Sequence, residues 1–115
     1  MGKFLQIRVT AQTYDEVAAE ERYGKLYALA WPAAATPPVE PRGLLELTAA
    51  LDDRVRLGDL PGPERKALLP GVERAMALKN ALEAALGDRD PKAADKFSYE
   101  LEDALAELEK LAPKP

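Results

Sequence analysis

The 115-residue chain contains no cysteine and no histidine. Without cysteine there is no disulfide framework, no zinc–thiolate centre and no thiol nucleophile. Without histidine the commonest general base and the commonest transition-metal ligand are both missing. Serine occurs once, as Ser98, and residue 101 is Leu, so neither a histidine triad nor a Ser-x-x-Lys pair can be written. The seven glycines are scattered and spell no phosphate-binding loop.

Charge of one sign is also lacking in excess. The net charge is −4, with nine acids against seven bases in residues 1–60 and eleven against nine in residues 61–115. A nucleic-acid-binding domain ordinarily carries a basic excess or stripe, so no nucleic-acid partner is expected. No apolar run approaches the roughly 20 residues that cross a bilayer. The amphipathic segments carry acidic polar faces, which anionic lipid repels, so no membrane partner is expected either. The opening MGKFLQIRV places Gln6 and Arg8 inside what would be a signal-peptide core, and Gln6 breaks the myristoylation pattern. The expected location is cytoplasmic.

What is present is apolar and helix-forming. Apolar residues make up 47% and charged residues 31% of the chain, the balance of a globular protein and not of a disordered one. At this length one domain over residues 1–115 is expected, with a Pro-rich connector at 32–43 inside it.

Residues 4–11 alternate, with Leu5, Ile7, Val9 and Ala11 on one side and Gln6, Arg8 and Thr10 on the other. That period predicts a half-buried strand, although Phe4, Ile7 and Ala11 also keep a helical spacing. A lone strand leaves its N–H and C=O groups unpaired, and nothing else in the chain reads as a strand. A copy of itself in a second subunit, or a short piece of the Pro-rich segment, would pair it, so a homodimer is expected if residues 4–11 form a strand.

From Thr13 or Asp15 to Trp31 the Ala-, Glu- and Leu-rich composition predicts a helix that Pro32 ends. A second helix is read over residues 43–59, with Leu44, Leu47, Leu51 and Val55 as its stripe and Gly58 as its stop. In residues 60–71, Pro63 suits a first helical position, whereas Pro70 limits the segment to about two turns or makes it a kinked start to the next helix. A helix over 71–87 closes at Gly87. The last, over 91–112, carries Phe97, Leu101, Leu105, Leu108 and Leu111 at spacings of four, four, three and three. The expected fold is mainly α: a four- to five-helix bundle with antiparallel neighbours in its second half, and with the short N-terminal strand paired across a dimer if residues 4–11 are extended.

Two sets of residues invite a functional reading. Tyr23, Tyr27 and Trp31 lie four apart and would form one row of rings along the first helix. Tyr and Trp combine apolar area with a polar tip and are enriched at interfaces. The row is read as core first, with an interface at its edge, and Phe4, Ile7, Val9, Tyr23, Tyr27 and Trp31 are the candidate partner-binding residues. The partner is a second copy of the chain or another protein. The expected function is therefore non-enzymatic, through protein–protein contact, with no catalytic residue, cofactor or metal.

The alternative is a magnesium-dependent hydrolase of a phosphorylated small molecule. Glu16 and Glu20 on the first helix and Glu100 and Asp103 on the last would then supply the oxygen ligands that magnesium takes. A solvated acidic face explains the same four residues.

Overall fold

The computed structural model describes residues 11, 13, 15–31, 43–58 and 60–113, and statements of structure concern these. Among them there are five helices and no strand: α1 (Glu16–Arg22), α2 (Gly24–Ala30), α3 (Leu44–Leu57), α4 (Gly62–Gly87) and α5 (Pro91–Leu111). The mainly α bundle expected from periodicity is the observed architecture. The candidate strand lies outside the described residues except for Ala11, and the connector lies outside them except for Gly43.

The first predicted helix is broken at Tyr23, whose φ of −117° and ψ of 39° leave helical geometry. Gly24, the residue with the weakest helix propensity in the segment, opens α2 directly after the break. The short segment before Pro70 is the start of the following helix and not a separate one. α4 runs for 26 residues with Pro70 inside it. Pro70 is exposed, while Leu68 and Val72 on either side are buried, so the proline ring takes a solvent-facing position. The helix begins at Gly62, which puts Pro63 at the second helical position.

α4 and α5 form the principal hairpin, α3 packs on α4, and α2 lies against α3 and α5. The core joins Leu47, Leu51 and Val55 of α3 to Leu68, Val72 and Ala75 of α4 and to Leu101, Leu105 and Leu108 of α5. Each of these leucines and valines contributes about 1.5–3 kcal/mol through burial. The hairpin closes tightly at Gly71, where a Cβ would fall 2.5 Å from Leu108 Cδ2.

Asp15 and Asp90 cap α1 and α5, their carboxylates accepting from Ala18 and Ala93 N–H at 3.0 and 3.1 Å. The α4–α5 turn is stopped by Arg89, at a φ of 54°, and not by Gly87, which is still helical. Arg89 and Asp90 N–H donate to the Leu86 and Ala85 carbonyls, closing the end of α4 in the Schellman pattern.

Candidate functional site

The aromatic row is the natural starting point. Tyr23 and Tyr27 are 7% and 4% exposed, which makes both core residues, and Trp31 is half-buried. Tyr27 and Trp31 rings meet at 5.5 Å between centroids with planes inclined by 51°. The break at Tyr23 does not scatter the row, because Tyr27 N–H still donates to the Tyr23 carbonyl at 3.0 Å and Trp31 N–H to the Tyr27 carbonyl at 2.9 Å. Of the three rings, Trp31 is the one that keeps partial exposure to solvent.

The row is held from outside its own segment. Tyr23 OH donates to the Glu102 carbonyl on α5 at 3.3 Å. Burial raises the Tyr23 phenol above its ordinary value, and the Glu102 carboxylate adds to the rise. Glu109, about two turns further along α5, accepts from Lys25 N–H at 3.1 Å and from Leu26 N–H at 2.9 Å. These amides lie in the first turn of α2, where a helix offers donors and a partial positive charge. At the other end of α2, Arg54 Nε of α3 donates to the Leu29 carbonyl at 3.2 Å. A seven-residue helix is thus capped at both ends by charged side chains of the correct sign, borrowed from two other helices.

A second feature lies where α3 begins. Ala11, Thr13, Leu44, Leu45, Leu82, Ser98, Leu101 and Glu102 line an open, mostly apolar groove of about 220 Å³. Thr13 anchors the chain there, its Oγ1 accepting from Leu44 N–H at 2.7 Å. Gly43, the N-cap of α3, has no side chain to make that bond, so Thr13, 31 positions before Leu44, makes it instead. Glu46 completes the arrangement by accepting from Gly43 N–H at 2.9 Å. A Cβ on Gly43 would stand 2.5 Å from Thr13 Oγ1, so the substitution depends on glycine.

Among the described residues no three or more carboxylates converge on a common point. Glu16 and Glu20 belong to α1, and Glu100 and Asp103 to α5. Glu20 and Glu16 act instead on Tyr27, which burial first and these carboxylates second push up to about 12. Asp103 is among the charges acting on Tyr23. The four proposed magnesium ligands therefore draw no support from the described geometry.

Phe4, Ile7 and Val9 lie outside the described residues. Sequence reasoning missed Glu109, Arg54 and Thr13, each of which acts on an amide or carbonyl 25 or more positions away. It also missed the groove, since Leu44, Leu82 and Leu101 read as ordinary core stripe. No local signal separates Glu109 from its exposed neighbours Glu102 and Glu107; the distinguishing fact is what faces it. The sequence matches no family model, no curated protein and no solved structure.

Proposed function

We propose that the protein is a non-enzymatic helical protein that works by protein–protein contact, with its own second copy as the first partner. The observation that carries this reading is the open, mostly apolar groove beside α3 with Ala11 in its lining, Ala11 being in the sequence the last member of the alternating apolar series Leu5, Ile7 and Val9. A segment so patterned has one side for a helical surface and two hydrogen-bonding edges for another strand. The half-buried Trp31 supplies a second contact edge of the kind that interfaces favour.

Solution mass by light scattering at two concentrations tests the reading. The expected result is a dimer for the native chain and a monomer for Ile7→Lys, which places a charge in the apolar series. A native chain that is monomeric at both concentrations overturns self-association. The same experiment with Trp31→Ala reports whether the aromatic edge belongs to the interface, and retained dimer would confine the contact to the N-terminal segment.

A further inference from the structure

The groove at the start of α3 has a one-sided chemistry. Its described lining is leucine and alanine apart from Thr13, Ser98 and Glu102, and Glu102 is the single charged group there. Ser98 Oγ gives its proton to the Asp95 carbonyl at 2.7 Å, which leaves its lone pairs to accept. Leu44 N–H, at the same edge, is already taken by Thr13 Oγ1 at 2.7 Å. Glu102 and Ser98 are thus both presented to the groove as acceptors.

Glu102 is left without a cation by its own helix. A helical side chain meets those three and four positions away, and for Glu102 these are Ser98, Tyr99, Leu105 and Ala106, none of them basic. Asp52, Glu83 and Glu107 pair with Arg56, Lys79 and Lys110, whereas no ion pair forms at Glu102 among the described residues. Tyr23 OH donates to the Glu102 carbonyl at 3.3 Å, so the backbone that carries the carboxylate is anchored. Ser98 stands one helical turn before it on the same side of α5. At roughly 30 Å³ for a water-sized group, the groove of about 220 Å³ holds about seven such groups.

We infer that the groove binds a short aliphatic amine, with its chain against Leu44, Leu45, Leu82 and Leu101 and its ammonium between Glu102 and Ser98. An ammonium has three N–H donors and no acceptor, which matches this pair, and each methylene removed from water adds to the affinity. The surrounding field favours a cation as well: Glu102 and Asp103 both act on the Tyr23 phenol, with Arg22 opposing them. The assignment goes beyond protein–protein contact and needs no second copy of the chain.

Amide NMR titrations of the full chain at neutral pH with hexylammonium, hexanol and hexanoate test it. Hexylammonium is expected to shift the Leu44, Leu45, Leu82, Ser98 and Leu101 amides saturably. It should bind about three- to fivefold tighter than hexanol, the range of an exposed ion pair, with hexanoate weaker than either. Glu102→Gln should bring the amine down to the alcohol. Asp103→Asn removes the same charge from a residue outside the described lining and should keep the preference. Both side chains are exposed, so neither variant disturbs the core. Equal affinity for amine and alcohol overturns the assignment, and so does the absence of saturable shifts at the groove. Loss of the preference in both variants alike overturns it too, by reducing it to net charge. Nα-acetyl-lysine methylamide separates the other source of an alkylammonium: binding tighter than that of hexylammonium would give the groove to a partner's lysine and overturn the free amine.

Discussion

At the residue scale the two buried phenols tie stability to alkaline pH. Tyr27 is pushed up to about 12 from an ordinary value near 10 by burial, reinforced by Glu20, Glu16 and Glu46. Its contribution is full below pH 10, because both folded and unfolded chains then hold the proton. Between about pH 10 and 12 the unfolded chain ionises while the folded one does not, and stability falls by about 2–3 kcal/mol. Urea titrations across this window, with Tyr27→Phe as reference, isolate the part of the fall due to this phenol. Arg89 offers a change of opposite sign. Its φ of 54° is a left-handed conformation that an L side chain adopts at a cost of about 1–2 kcal/mol and that glycine adopts freely. Arg89→Gly is therefore expected to raise the midpoint of thermal unfolding.

The element scale concerns the short helices. Seven residues are too few for a helix to persist by local interactions, and α2 persists because α5 and α3 supply its caps. Glu109→Ala leaves Lys25 and Leu26 N–H without their acceptor, at an expected cost of about 1–3 kcal/mol. Hydrogen exchange at those two amides should speed up by more than at amides of α4; uniform acceleration would mean that the carboxylate acts on the whole fold and not on α2. The start of α3 behaves similarly. Gly43→Ala drives a methyl against Thr13 and Glu46, with an expected cost of about 1–3 kcal/mol. That cost should shrink when Thr13 is also truncated to Ala, since the two sites share one contact.

For the whole molecule, the α4–α5 hairpin with α3 against it carries the core, and Leu105 sits at its centre with no exposure. Leu105→Ala should cost about 2–5 kcal/mol by denaturant titration without changing the solution mass. Ile7→Lys should do the reverse, changing the mass with a smaller loss of monomer stability. Mass and stability that always changed together would mean that the monomer does not fold independently of its partner.

Periodicity alone determined the α-helical class, α3, α5, the part of α4 after Pro70 and most of their buried faces, because 3.6-residue spacing of Leu and Val has one good structural solution. The phases of Leu47, Leu51 and Val55, and of Leu101, Leu105 and Leu108, are those seen in the core. Local signals failed where the deciding partner was distant in sequence. Tyr23 interrupts a segment of good helix formers because Glu109, 83 positions beyond Leu26, takes the amides that a continuous helix would have used. Pro70 suggested an end to a helix, but burial of Leu68 and Val72 against the hairpin carries α4 through it. The groove lies where the start of α3 meets Leu82 of α4 and Ser98 and Leu101 of α5, a surface that exists only when the three are packed. Tertiary structure alone decided these features, since hydrogen-bond demand and burial at one point were met by residues that no sequence window of helical length contains.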